Sequence, residues 1–122
     1  SNLQRQIIHR TADIGRLKTD SARDQLLALN PDIRITTLSH TLAEDELQQQ
    51  IESADVVIDC SDNFATRFGL NRACVHSHTP LVSGAAMRME GQLSVFLNDG
   101  DGPCYQCLYH DDGEQGDSCS QI

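Results

Sequence analysis

Ala54-Asp55-Val56-Val57-Ile58-Asp59, running directly into Cys60-Ser61-Asp62-Asn63, is the stretch whose reading decides the fold. A short apolar run of this kind belongs to a strand covered on both faces, as in a parallel sheet, and the polar residues after it form a loop at the strand's carboxyl end. Downstream, residues 65–77 read as a helix, 80–83 as a strand and 92–97 as a further strand. Upstream, Thr41 with Glu44 makes a capping box for a helix reaching residue 53, and the β-branched, alternating residues 33–38 read as a strand. Before them Ala22, Leu26 and Leu29 recur at helical spacing over residues 19–30, and Pro31 closes the segment. The first eighteen residues are polar and contain Gly15, so they read as a loop with short helical pieces. Helix and strand take turns, which predicts an open α/β sheet. Ligands of such sheets bind outside the carboxyl ends of the strands, where Asp62 falls.

The 122 residues suit one small domain, able to bury roughly two-thirds of its unfolded surface. Eighteen acidic residues against nine basic ones leave a formal net charge of −9, a field that repels phosphate backbones and anionic membrane surfaces. Nucleic acid as a bulk partner is disfavoured, while a single phosphate group remains bindable by local arginines or a helix N-terminus. No stretch approaches the roughly 20 apolar residues that span a bilayer, and the opening residues lack the regions of a signal peptide, so the chain reads as cytoplasmic. Five cysteines, at 60, 74, 104, 107 and 119, form an odd set, poor material for a disulfide framework. Reduced thiols are expected, with one pair available to a metal.

Ser1-Asn2-Leu3-Gln4-Arg5-Gln6 sets a guanidinium on a polar loop, and the planar fork of that group fits phosphate oxygens. Asp62, past the strand, supplies the hard oxygen that Mg²⁺ prefers. Together they point to nucleotide chemistry. Each residue also has a plainer reading: Arg5 as a solvated charge, Lys18 as a surface residue before a helix, Asp62 or Asn63 as a helix cap, and Arg67 as the partner of a carboxylate. Capping and metal ligation are compatible. Cys60 and Cys74 lie at an apolar strand end and on an apolar helix and read as small core fillers. Cys104-Tyr105-Gln106-Cys107 brings two thiols within reach of one metal. Redox pairs sit at helix N-termini, whereas this pair follows the last strand in a glycine-rich tail, which favours zinc. Cys119 lies among Asp117, Ser118 and Ser120 with no adjacent cation to depress its pKa. No G-x-G-x-x-G occurs, although an α/β nucleotide-binding domain opens on such a turn, so the chain is expected to start partway through a larger domain.

Ser1-Asn2-Leu3-Gln4-Arg5-Gln6, Asn30-Pro31, Asp59-Cys60-Ser61-Asp62-Asn63-Phe64-Ala65-Thr66-Arg67, Pro80-Leu81-Val82-Ser83-Gly84-Ala85-Ala86, Gly91-Gln92 and Cys104-Tyr105-Gln106-Cys107 together resemble the MoeB/ThiF/HesA family, bacterial relatives of the ubiquitin-activating enzymes. The resemblance runs over nearly the whole chain, and residues 83–92 look most like its molybdopterin-synthase adenylyltransferase branch. It implies a Rossmann-like open sheet with mostly parallel strands, lacking the first glycine-rich βα unit. Residues 1–98 would be a partial nucleotide-binding domain and 99–122 a glycine- and acid-rich loop carrying a zinc half-site. The implied activity is that of an adenylyltransferase: ATP-dependent adenylation of the C-terminal glycine of a small ubiquitin-like sulfur-carrier protein, in molybdopterin or thiamine biosynthesis. Alternatives are a non-catalytic fragment that binds the carrier and a tRNA-base-modifying dehydratase of the same superfamily.

Residue by residue, the resemblance makes Ser1, Asn2, Leu3, Gln4 and Arg5 the nucleotide-contacting loop, with Asn2 and Arg5 on phosphate, and Lys18 the phosphate lysine. Asp62 matches the aspartate associated with Mg²⁺ and catalysis, Asn63 adjoins it in the nucleotide site, and Arg67 is similar to a family arginine nearby. Arg5 and Asp62 are thus the implied catalytic pair. Cys104 and Cys107 match the first half of a structural Zn²⁺ site whose other cysteines would come from a second C-x-x-C beyond Ile122. Cys119 sits where relatives carry a cysteine of sulfur or acyl transfer, and Arg88 beside Glu90 would either line a partner-peptide groove or form a rim contact or surface pair. A homodimer is also implied.

Overall fold

A computed structural model describes residues 2–87 and 90–109 of the chain. They fall into two units, Ser1–Thr41 and Leu42–Ile122, each described by itself. In the first, polar residues too short in apolar spacing for a long helix make successive turns, a 3₁₀ turn at Thr11–Asp13 and a bend at Gly15, whose φ of 90° suits glycine. Helix α1 (Lys18–Leu29) follows, close to the expected bounds, and ends where the Asn30 amide donates to the Leu26 carbonyl at 2.9 Å. Asn30 then folds back, its Oδ1 accepting from the Asp32 amide at 3.1 Å. The strand expected over residues 33–38 does not form. Its backbone has no described neighbour to complete a ladder, and β-branched side chains supply no substitute for one.

The second unit opens with helix α2 (Glu44–Glu52). Its cap is Ala43 in place of Thr41: the Ala43 amide donates to Glu46 Oε2 at 3.3 Å, which is half a capping box because alanine has no oxygen to return. Strand β1 (Val57–Asp59), helix α3 (Phe64–His76) and strands β2 (Leu81–Met87) and β3 (Glu90–Phe96) come next, and the one-turn helix α4 (Tyr105–Leu108) closes the described chain. The sheet order is β1-β2-β3. β1 runs parallel to β2 from Val57↔Leu81 to Asp59↔Ser83, and β2 pairs antiparallel with β3 from Leu81↔Phe96 to Met87↔Glu90. Strand β2 outruns its expected end because Gly84, Ala85 and Ala86, weak strand formers, are held by the β3 ladder.

The pleat sorts the sheet into two faces. Leu81, Ser83, Phe96 and Asp59 point to a core completed by Ile51 of α2, Phe68, Ala73 and Cys74 of α3, and Tyr105 of α4. Ile58 and Val95, in register with Val82 on the opposite face, are 69% and 60% exposed. The run 54–59 is therefore covered on one face only, since the described helices of this unit share the single core. Among the described residues, no helix is long and apolar enough to cross a membrane.

Candidate functional site

Three features carry chemistry. The first is a cleft of about 200 Å³ in the N-terminal unit. It forms because the opening run turns on itself: the Arg5 and Gln6 amides both donate to the Asn2 carbonyl at 3.1 Å, and the His9 amide to the Gln6 carbonyl at 3.0 Å. Asn2, Leu3, Arg10, Arg16 and Lys18 are among its lining residues. Asp13 fixes one wall, accepting from the Arg10 amide at 2.8 Å and from Arg16 Nη1 at 2.9 Å, while Arg16 Nη2 reaches Asp24 at 2.5 Å. The Arg10 amide, followed by the Ser21 hydroxyl and Arg16, holds the Asp13 carboxyl below its usual range against an opposing effect of burial. Buried Ser21 also bonds His9 Nδ1 at 2.8 Å. Arg16 is thus committed to two carboxylates, whereas among the described residues no ion pair involves Arg10 or Lys18. Of the expected nucleotide contacts, Asn2, Leu3 and Lys18 share this cleft. Gln4 and Arg5 are exposed on the turn and are not among its lining, and Ser1 lies outside the described residues.

The second feature is the loop at the carboxyl end of β1. Asp59 is buried, its Oδ1 accepting from the Ser61 amide at 2.8 Å, while its Oδ2 and the Ser61 hydroxyl have no partner among the described residues. Asn63 caps α3, its Oδ1 accepting from the Thr66 amide at 2.9 Å. The plainer reading of Asp62 as the cap does not apply, and its side chain stays exposed on the loop. One turn along α3, Arg67 donates through Nε and Nη2 to the Ser61 carbonyl at 3.2 and 2.6 Å, and its guanidinium lies 5.8 Å from the Phe64 ring centroid. Arg67 therefore clamps the loop's backbone, a use that carboxylate pairing did not anticipate. Cys60, expected in the core, is exposed: it follows the last ladder residue, so its side chain leaves with the loop. Cys74 is fully buried, and burial, aided by the nearby Asp59 charge, pushes its thiol up to about 11.

The third feature is the thiol turn. Cys104 sits at the N-cap of α4 and Cys107 within it, so the pair does occupy a helix start, contrary to the expected plain tail. Their Sγ atoms are 3.7 Å apart. Two thiolates at adjacent corners of a tetrahedral Zn²⁺, each about 2.3 Å from the metal, stand about 3.8 Å from one another. The spacing fits two corners of such a site. Burial pushes the Cys104 thiol up, and hydrogen bonds from Asn71, Cys107 and the Gln106 amide outweigh it, leaving its pKa below the usual thiol value. Among the described residues no third His, Cys, Asp or Glu joins the pair. Cys119 and Arg88 lie outside the described residues.

Reading the chain missed Arg10, Arg16 and His9 as cleft residues and Asn71 as a neighbour of Cys104. A polar side chain amid the apolar residues of α3 was the available signal for Asn71, and the cations of residues 10–18 were the signal for the cleft.

The profile of the ThiF family matches residues 1–121. The chain belongs to the ThiF family. It is 48% identical over 119 residues to molybdopterin-synthase adenylyltransferase of Escherichia coli (strain K12), covering 98% of this chain and 48% of that protein. It is 44% identical over 119 residues to the sulfur carrier protein ThiS adenylyltransferase of the same organism, covering 98% and 47%. This ThiF-family chain thus spans about half the length of the curated relatives it matches. The crystal structure of PaaA superposes with a TM-score of 0.70 at 20% identity over 86% of this chain and 35% of that one, a likeness of fold. The α/β open sheet expected from the alternating elements is the architecture found.

Proposed function

We propose that this chain is part of an adenylyltransferase that activates the C-terminal glycine of a small ubiquitin-like sulfur-carrier protein with ATP. The supporting observation is its 48% identity, over nearly its whole length, to a molybdopterin-synthase adenylyltransferase. In this reaction a carboxylate oxygen of the carrier attacks the α-phosphorus of ATP. The bond from that phosphorus to the bridging oxygen breaks, and pyrophosphate leaves with its electron pair, giving an acyl adenylate. The nucleophile belongs to the carrier, so the chain supplies position and charge.

On this reading Arg5 and Lys18, joined by Arg10, neutralise phosphate charge, with Ser1, Asn2, Leu3 and Gln4 shaping the nucleotide's seat. Asp62 would hold Mg²⁺ and Asn63 adjoin the nucleotide. The donor type suits the ion, since the Asp62 carboxylate is a hard oxygen exposed on the loop, although among the described residues no group of three such donors gathers around it. Mg²⁺, when bound, neutralises charge on the departing phosphates. Arg67 keeps the loop's backbone in one place while this happens. Cys104 and Cys107 would hold two corners of a structural Zn²⁺ in a tail, residues 99–122, appended to a nucleotide-binding part, residues 1–98. The working enzyme is a cytoplasmic homodimer.

The test is ATP–pyrophosphate exchange with Mg·ATP, radiolabelled pyrophosphate and a glycine-ended carrier. Exchange that needs the carrier and vanishes in Asp62→Ala supports the proposal. Carrier binding without exchange makes the chain a binding module instead, and exchange that needs a tRNA makes it a dehydratase of the same superfamily.

A further inference from the structure

Asn71 lies in the middle of α3 and is only 2% exposed. A primary amide in that position is costly unless both its ends are used. Both are used by the thiol turn. Its Oδ1 accepts from the Tyr105 amide at 2.9 Å, and its Nδ2 donates to Cys104 Sγ at 3.6 Å. The Tyr105 amide can only donate, so it fixes which way the side chain faces and turns the NH₂ group toward the sulfur. Tyr105 itself is locked in the core, with its ring centroid 5.6 Å from that of Phe68 and 6.0 Å from that of Phe96, both edge-on.

We propose that Asn71 is the positioning residue for metal ligation by Cys104 and Cys107, aiming the Cys104 sulfur and moderating its charge through an N–H···S bond. This rests on the zinc reading above. Asn71 is not itself a ligand. Groups of this kind, one bond removed from the metal, orient the ligand atom and tune how strongly it donates. Leucine would fill the same space in an apolar core, so what asparagine adds is the pair of directed bonds. The Oδ1 bond fixes the backbone directly after Cys104, and the Nδ2 bond fixes its side chain. Together they hold one sulfur still so that the other, one helical turn on and exposed, closes to 3.7 Å.

The test uses the 122-residue chain and Co²⁺ alone, followed by thiolate-to-cobalt charge-transfer absorption. Asn71→Asp keeps the oxygen that receives the Tyr105 amide and removes the donor to sulfur, whereas Asn71→Leu removes both without adding charge. Circular dichroism of the metal-free variants checks the fold, and if Asn71→Asp fails to fold the band position of Asn71→Leu at saturation decides, displaced on this proposal and unmoved for a mere backbone anchor. The expected result is cobalt binding about 10- to 100-fold weaker in both variants, with the charge-transfer band displaced at saturation. Wild-type affinity and band position in Asn71→Asp, with or without a loss in Asn71→Leu, would reduce Asn71 to a backbone anchor and overturn the proposal. At millimolar Co²⁺ water and chloride complete the coordination left open by two thiolates, so absence of any thiolate band there in the wild-type chain would overturn the zinc reading itself and this role with it. That outcome is separable from the former because it appears before any substitution.

Discussion

Arg67 donates twice to one acceptor, the Ser61 carbonyl, at 2.6 Å through Nη2 and 3.2 Å through Nε. A guanidinium spent on backbone shapes a loop, and it does so with a geometry that lysine cannot copy. Arg67→Ala is expected to cost about 1–2 kcal/mol in urea unfolding and to lower pyrophosphate exchange at least about tenfold. Arg67→Lys should restore little of either. Wild-type exchange in Arg67→Ala would show that the clamp is irrelevant to turnover.

Asp62 is exposed and is not the α3 cap, so nothing in the fold leans on its carboxylate as a cap. Asp62→Asn should melt with the wild-type chain yet lose about 100-fold or more of its exchange activity, in the range seen when charge-stabilising groups are removed. A matching drop in melting temperature would point to a structural role instead.

Asn63 behaves the other way. Asn63→Ala removes the oxygen that receives the Thr66 amide and should cost about 1 kcal/mol, read by urea denaturation, while Asn63→Ser and Asn63→Asp retain most of the stability. Equal stability in all three variants would refute the cap.

Asp13 makes the N-terminal unit acid-sensitive. Its carboxyl is held below the ordinary 3.8, first by the Arg10 amide and then by Ser21 and Arg16, so its contribution to stability is in full force above 3.8 and disappears as pH falls through the lower folded value. Helical circular dichroism should therefore decline below about pH 3.8 in the wild type, and Asp13→Asn should flatten that part of the curve. An unchanged acid limb in the variant would remove Asp13 from the account.

The thiols should divide by burial. At pH 8 iodoacetamide is expected to label exposed Cys60 and Cys107 in the native chain and to leave Cys74, buried and pushed up to about 11, until denaturant is added. Peptide mass spectrometry decides it, and native labelling of Cys74 would mean that the core opens readily.

Much of this was legible in the amino-acid order because the signals were local. Apolar spacing and a terminating proline mark α1, and the run ending at Asp59 marks a strand followed by a polar loop. What failed needed partners at a distance. Residues 33–38 have strand-like side chains but no described neighbour, and Ile58 looks buried only if a second layer of helices is assumed. Cys60 was misplaced because a strand's last residue and the one after it point differently once the ladder stops. At the candidate site, residue types were readable and their use was not. Arg67 grips a carbonyl and Asn71 grips a turn more than thirty positions away, and neither spacing leaves a trace in sequence.

Asn63, Arg67 and Asn71 recur at every fourth position along α3 and so follow one stripe of it, which makes the helix a strut of set length between the loop after β1 and the thiol turn. Their span is slightly more than two turns, about 12 Å. Inserting or deleting one residue between Arg67 and Asn71 would leave the helix intact yet swing Asn71 about 100° around its axis, so the tolerated length of this rod is quantised in whole turns.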